Sequence, residues 1–361
     1  MSAPPLLLHA FASFAVGGPQ VRFATLANRL GGAFRHAVVA MDGKLDARAL
    51  LDPSLDVRFP EITVAKGDTL GNLRRFRAAL GEIRPDLLVT SNWGSIEWAL
   101  ARIGTGIPHL HMEDGFGPEE RVRQIPRRVL ARRLLLRHAT VVVPSRVLWR
   151  IAREVWRLPQ RRLRLLPNGI DLGRFTSVDR PRDTGEVVIG TVAALRPEKN
   201  LARLIRAVGR LGPELRLVIV GGGGERPALE ALVADKGMAA RVTFAGHQTD
   251  PAPLYAGFDI FALSSDTEQM PLSVLEAMAA ALPVAATDVG DVAEMLAPEN
   301  RPFVVPCHDA ALADALDALA RDAKARRNIG AANRRRAEED FNEAGMVAAW
   351  GELFRDLSAR R

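Results

Sequence analysis

Short apolar runs alternate with amphipathic stretches from one end of this 361-residue chain to the other, and that alternation restricts the fold more than any other feature. Runs over residues 5–8, 35–41, 87–90, 109–112 and 140–144 have strand length. The segments between them, 21–30, 68–83, 95–102 and 125–137, place apolar residues at helical spacing. Ser145 is placed to cap a further helix over 146–156. The rhythm returns with strands over 187–192, 216–220, 241–245, 260–263, 283–286 and 303–305. Helices are predicted over 201–211, 226–236, 253–256, 271–281 and 310–341. Apolar strands separated by helical crossovers predict parallel sheets covered on both faces, the α/β class.

At this length one ordinary core is exceeded and two domains are expected. The polar, proline- and glycine-bearing segment 176–185 interrupts the alternation and marks the linker. The predicted division is an N-terminal domain over 1–177, a second over 178–341, and a final helix over 342–361. That helix carries Met346, Trp350, Leu353 and Phe354 at helical spacing.

Cys307 is the single cysteine, which excludes a disulfide framework and a thiolate metal cluster and fits a reducing cytoplasm. The apolar start over 4–16 lacks a basic leader, so no secretory signal is expected, and no run is long enough to span a membrane. The net charge of +7 is unevenly placed: Glu119 to Arg164 holds fourteen arginines against three glutamates. Such a segment either meets an anionic surface or is a set of solvated helix faces.

Glycines that follow strands can let a backbone approach phosphate. Gly17-Gly18 follows the first strand and precedes a helix; Gly221–Gly224, including Gly222, follows another without the spacing of a dinucleotide fingerprint. Arg196 and Lys199, in a loop between strand and helix, are cations suited to a diphosphate. Glu268 ends a loop after an apolar strand, and Glu276 lies eight positions later in a helix of apolar and small residues introduced by Pro271. A glutamate in such a helix needs hydroxyl or cation partners.

These motifs carry a family likeness over nearly the whole chain. Leu166-Pro-Asn-Gly-Ile-Asp171, Pro197-Glu-Lys-Asn200, the Gly221–Gly224 loop, Val242-Thr-Phe-Ala-Gly246, the Glu268–Glu276 pair and Pro283-Val-Ala-Ala-Thr-Asp-Val-Gly290 occur in one order and spacing. In that order they resemble the family 4 glycosyltransferases of the GT-B fold. The resemblance implies two Rossmann-like, doubly wound parallel-sheet domains facing each other across a cleft, and a last helix that crosses back to the first domain. It also implies hexosyl transfer from a UDP- or GDP-sugar to a hydroxyl acceptor, with retention, and with no cofactor or metal.

On the same resemblance Glu276 would hold the ribose hydroxyls, and Glu268 the donor sugar, with the backbone of Met270, Pro271 and Leu272 near sugar and phosphate. Lys199 would bind the diphosphate, Gly17 and Gly18 would approach it from the other domain, and His247 would lie in the base-binding stretch. Two positions depart from the family. Ala194 stands where an arginine is common, with Arg196 close by. Asp114, in Glu113-Asp-Gly-Phe-Gly-Pro118, stands where a histidine is common and becomes the candidate to orient the acceptor or take its proton. His109 and His111 fall inside the preceding strand and read as structural.

In the basic region, Arg127, Arg128, Arg132, Arg133 and Arg137 are interleaved with leucines. That pattern suits an interfacial helix on anionic lipid, serving a lipid-linked or cell-envelope acceptor from the inner face of the cytoplasmic membrane. A packed helix with snorkelling arginines is the competing arrangement. The stretch offers no aromatic stacking positions, so nucleic acid is not an expected partner. Alternatives to a transferase are a nucleotide-sugar 2-epimerase and a non-catalytic scaffold on the same fold.

Overall fold

The computed structural model describes residues 3–65, 67–120, 123–175 and 185–359. The chain divides into two compact units, Met1–Pro167 with Gly345–Arg361, and Asn168–Ala344.

The first unit contains β1 (Leu6–Phe11), α1 (Gly18–Leu30), β2 (Arg35–Ala40), β3 (Val57–Arg58), α2 (Thr69–Ile83), β4 (Leu87–Ser91) and α3 (Ile96–Ala101). It continues with β5 (His109–Met112), α4 (Pro126–Leu135), β6 (Thr140–Val143), α5 (Arg146–Glu154) and β7 (Leu163–Leu165). Its seven strands lie in the order β3-β2-β1-β4-β5-β6-β7, each pair parallel. β1 is central and every residue in it is buried. Leu7 and Phe11 join one core while Leu6, Leu8 and Ala10 join the core on the other face, which is why β1 reads as a continuous apolar run.

The second unit contains β8 (Val187–Val192), α6 (Leu201–Val208), β9 (Leu215–Val220), α7 (Arg226–Asp235), β10 (Val242–Gly246), α8 (Ala252–Tyr255) and β11 (Ile260–Leu263). It continues with α9 (Leu272–Ala279), β12 (Val284–Thr287), α10 (Val292–Met295), β13 (Val304–Val305), α11 (Asp309–Arg321) and α12 (Ala323–Asp340). Six parallel strands take the order β10-β9-β8-β11-β12-β13. Both orders are doubly wound with a reversal beside the first strand, as expected for two Rossmann-like domains.

The expected domain limit at 177 falls after the observed one. Residues 168–175 pack with the second unit: the Asn168 amide donates to the Met270 carbonyl at 3.2 Å, Ile170 bridges to Asn342, and Phe175 joins the core around Tyr255. The expected linker over 176–185 lies almost wholly outside the described residues. The last helix, α13 (Glu343–Ser358), returns the chain to the first unit, where Met346, Trp350, Phe354 and Leu357 enter the core of β1 and β5. Full burial of a large apolar side chain contributes roughly 1.5–3 kcal/mol, so these four anchor the helix firmly.

The single helix expected over 310–341 is two. Asp322 leaves helical geometry and its carboxylate accepts from the Ala325 N–H at 2.8 Å, capping α12. Two short strands, β3 and β7, escaped the sequence reading because two and three residues are too few to show periodicity.

Candidate donor and acceptor sites

In doubly wound sheets, ligands sit outside the carboxyl ends of the strands. In the second unit those ends lead into the loop 193–200 after β8, Gly221–Gly224 after β9, His247 after β10, the loop 264–271 after β11 and Gly290 after β12. The predicted donor residues Arg196, Lys199, Gly222, His247, Met270 and Pro271 therefore lie in loops at one edge of one sheet, and Leu272 and Glu276 lie in α9, which follows the loop 264–271.

Lys199 and Glu268 are in direct contact there. The Lys199 ammonium donates to Glu268 Oε1 at 2.6 Å, and the Ser265 hydroxyl donates to the same oxygen at 2.7 Å. Their positions come from the chain beneath them. Asn200 adopts a left-handed conformation (φ 41°), caps α6 and donates to Asp266 at 3.0 Å. Arg203, in the first turn of α6, donates to the Ser264 carbonyl and to Asp266, both at 2.8 Å. The Ser264 hydroxyl donates to the Lys199 carbonyl at 3.0 Å, so the loops after β8 and β11 are tied on both sides of the ion pair. Arg203 and Asp266 were missed by the sequence reading; only their proximity in space shows their role.

Glu276 projects from α9 and is half-buried. The fully buried Tyr255 donates its hydroxyl to Glu276 Oε2 at 2.5 Å. Burial pushes the Glu276 carboxyl above its ordinary range, opposed by the Tyr255 hydrogen bond and the Arg174 charge. The raised value fixes the sign of a prediction. Above the folded-state pKa the native protein must hold a desolvated charge, so this group's contribution to stability is present at low pH and lost as pH rises through that value. Glu276→Gln keeps an acceptor for Tyr255 and removes the charge. Thermal unfolding at pH 7 is expected to show a higher midpoint for the variant, with the gap closing toward pH 4; a lower midpoint at pH 7 would contradict this.

Two glycines shape the site's floor. Gly221 has φ 141°, its N–H donates to the Gly246 carbonyl at 2.8 Å, and a Cβ there would overlap the Ala193 carbonyl. Gly290 has φ 58°, and a Cβ would overlap the Glu268 and Gln269 carbonyls, so the loop after β12 lies directly against the backbone that carries Glu268. Gly222 packs near His247, and its carbonyl accepts from the Leu195 N–H at 2.9 Å. His247 is exposed. Met270 is buried, and Pro271 caps α9, whose first turn directs the N–H groups from Leu272 onward past the loop. Arg196 is exposed, and among the described residues it has no ion-pair partner, so it does not join the Lys199–Glu268 contact.

In the first unit Gly17 caps α1 in an extended conformation and Gly18 opens the helix, followed by Pro19. Asp114 follows β5, and its two carboxylate oxygens accept from the Arg22 guanidinium at 2.6 and 2.9 Å. Its N–H donates to Asn92 Oδ1 at 2.7 Å, and the guanidinium lies 5.6 Å from the Trp350 ring centre. The paired guanidinium bonds fix the orientation of the Asp114 carboxylate and leave each oxygen a further lone pair for an incoming hydroxyl. Glu113 turns inward instead: Arg132 Nε donates to it at 3.1 Å. His109 and His111 share the Thr90 hydroxyl at 2.8 Å each inside the sheet, and burial holds His109 well below the usual imidazole range. Among the described residues no cluster of three or more His, Cys, Asp or Glu side chains is placed to hold a metal ion.

Comparison with known proteins bears on this arrangement. The profile of the family Glycosyltransferase Family 4 matches residues 16–174, and that of Glycosyl transferases group 1 matches residues 175–336. The chain belongs to the family 4 glycosyltransferases. It is 37% identical over 131 residues to the lipopolysaccharide core biosynthesis glycosyltransferase LpsE of Rhizobium meliloti, a match covering 36% of this chain and 38% of that protein. It is 28% identical over 282 residues to the D-inositol 3-phosphate glycosyltransferase of Stackebrandtia nassauensis, covering 68% of this chain and 62% of that protein. These matches thus span between about a third and three fifths of the relatives' own lengths.

The sucrose-phosphate synthase of Thermosynechococcus elongatus superposes on 99% of this glycosyltransferase and 100% of its own chain, with a TM-score of 0.82 at 24% identity. Anabaena HepE, solved in complex with UDP, covers 97% of this chain and 100% of its own, with a TM-score of 0.83 at 20% identity. Both likenesses concern the fold, which is GT-B.

Proposed function

We propose that this glycosyltransferase moves a hexose from a UDP- or GDP-sugar to a hydroxyl acceptor of the cell envelope, with retention and without a metal. One observation carries the donor reading: Lys199 and Ser265 both donate to Glu268 on the sheet edge that leads into α9 and Glu276. Glu276 would accept from the ribose hydroxyls, and Glu268 from hydroxyls of the sugar. Lys199, released from Glu268 by the arriving diphosphate, would neutralise the departing charge together with the first-turn N–H groups of α9. For retention, the glycosidic C–O bond to the phosphate breaks as the acceptor oxygen bonds the same face, and the leaving phosphate oxygen takes the acceptor's proton. Anabaena HepE, also solved with UDP-glucose, and LpsE, named for lipopolysaccharide core synthesis, favour a nucleotide-sugar donor and an envelope acceptor. A screen of nucleotide sugars for nucleoside diphosphate release is expected to single out one donor, with turnover unchanged by EDTA. Turnover of none, or isomerisation without acceptor, would contradict the reading.

The acceptor's setting is proposed from α4. Arg128 and Arg132 are turned to Glu119, Glu120 and Glu113, so these two arginines follow the packed-helix arrangement. The opposite side remains exposed: Leu130 and Leu134 are 54% and 62% accessible, Val155 is 40% accessible, and Arg127 and Arg137 are exposed. A groove of about 470 Å³ runs between Arg123, Pro126, Leu130, Arg133 and Val155. Leucines ringed by arginines match an anionic bilayer surface. No helix among the described residues is long and apolar enough to cross a membrane. Leu130→Ser with Leu134→Ser is expected to reduce co-sedimentation with phosphatidylglycerol vesicles by roughly tenfold or more, from the loss of about 1.5–3 kcal/mol per buried leucine. Equal sedimentation of both proteins would count against membrane docking here.

A further inference from the structure

The amino-terminal edge of the first sheet, opposite the loops that carry Gly17 and Asp114, holds a second concentration of charge. A cavity of about 280 Å³ opens there, lined by Arg161, Arg162, Arg164 and Thr140 on one side and by Asp356 with Leu353 on the other. The arginines come from the turn before β7 and from β7 itself; Thr140 begins β6, and Asp356 belongs to α13. Arg164 donates from one guanidinium nitrogen to the Arg161 and Leu163 carbonyls at 2.9 and 3.0 Å, which braces its side chain against the turn.

Three of the more buried guanidiniums of this unit are matched to carboxylates: Arg22 to Asp114, Arg128 to Glu119, and Arg132 to Glu113 and Glu120. Those around this cavity are not. Among the described residues no carboxylate lies within ion-pair distance of Arg161, Arg162 or Arg164, and Asp356 forms no ion pair either. A fourth guanidinium is near. Arg102, just beyond α3, is partly buried, its Nε lacks a partner, and burial followed by the Arg162 charge holds it below its usual range. Three guanidiniums and a single carboxylate thus line one half-open cavity, with Arg102 near enough to Arg162 to feel its charge, and the net positive potential favours an anion.

We infer that this cavity binds a phosphate-bearing anion at a site separate from the donor edge. The planar guanidinium fork pairs with phosphate oxygens in bidentate fashion, and three forks on one short segment can surround a single phosphate group. The cavity lies just below the usual size of a pocket for a drug-sized ligand, which suits a phosphate or a phosphoryl headgroup and not a whole nucleotide sugar. Leu353 supplies an apolar wall for the carbon portion of a phosphoester. Because Asp356 and Leu353 belong to α13, occupancy would also be felt by the C-terminal helix.

The test uses the full-length chain and two probes: inorganic phosphate by calorimetry, and phosphatidylglycerol vesicles in a phosphatidylcholine background by co-sedimentation. Arg161 and Arg164 are exposed, so Arg161→Gln with Arg164→Gln should leave the fold intact. This double variant is expected to weaken phosphate binding about tenfold or more, while Asp356→Asn, which removes the opposing carboxylate, strengthens it about threefold. Loss of vesicle binding in the double variant without measurable binding of free phosphate assigns the site to a lipid headgroup. Binding of free phosphate that competes with vesicles assigns it to soluble phosphate as well. Phosphate affinity that is unchanged in the double variant but lost in Lys199→Ala, or failure of both probes to distinguish the double variant from the natural chain, overturns the inference.

Discussion

Replacing Lys199 with alanine is expected to lower kcat by roughly 10²–10³-fold, with a much smaller change in KM. The magnitude is that for loss of one preorganised group that meets charge developing in the transition state. The direction follows from what Lys199 touches. Before donor binds, its ammonium is held by Glu268 at 2.6 Å, so ground-state binding of the diphosphate gains little from exchanging one anion for another. The gain is realised when the sugar leaves and the full charge of the nucleoside diphosphate appears. The alanine variant leaves Glu268 with the Ser265 hydroxyl as a partner, so the fold should persist, which circular dichroism and unfolding midpoint would check. Lys199→Arg should recover only part of the rate, because a planar fork does not reproduce the position of a point charge. A rise in KM with unchanged kcat would instead mean that Lys199 serves binding alone.

The second large effect concerns stability. Arg132 is fully buried, donates to Glu113 at 3.1 Å and to Glu120 twice at 3.2 Å, and its guanidinium lies 5.0–5.3 Å from the ring centres of Trp93, Phe116 and Trp156. Arg132→Met would leave Glu113 without its guanidinium partner and Glu120 with Arg128 and the Ile125 N–H. Breaking a buried pair on one side costs about 3–5 kcal/mol, which urea unfolding monitored by tryptophan fluorescence should report. The triple variant Arg132→Met, Glu113→Gln, Glu120→Gln should recover much of that loss, since neutral side chains no longer need the cation. If the triple variant is as unstable as the single one, packing against the three rings, and not charge, is what Arg132 supplies. Because Glu113 adjoins Asp114, the same network also steadies the acceptor-side loop.

How legible all this was in the sequence depended on distance along the chain. Strands such as β1 and β4 announced themselves because burial on both faces leaves a continuous apolar run. Ser145 was recognised as a cap because a cap is local, three residues from the N–H it serves. Lys199, Glu268 and Glu276 were singled out by motif order, but their contacts were not. Lys199 meets Glu268 across 69 residues, and Glu276 meets Tyr255 across 21. Asp114 was read as the candidate to orient the acceptor or take its proton because it stands where a histidine is common; its partner Arg22, 92 positions away, could not be read from the sequence. The arginine run was the most deceptive segment. Interleaved arginine and leucine look interfacial, yet successive turns of α4 place Arg128 and Arg132 inward, and nothing local marks Glu113, 19 residues earlier, as the partner that draws Arg132 in. Segment 176–184 lies outside the described residues, so the linker reading gains nothing from the structure.

The central claim is that the edge carrying Lys199, Glu268 and Glu276 holds a nucleotide-sugar donor, and its most direct test is calorimetric titration of UDP and GDP into the natural chain and Glu276→Gln. One nucleotide should bind with one-to-one stoichiometry. The variant should bind it roughly 10–100-fold more weakly, the loss for charge-assisted hydrogen bonds to two ribose hydroxyls. Binding of neither nucleotide, or equal binding by both proteins, would contradict the account.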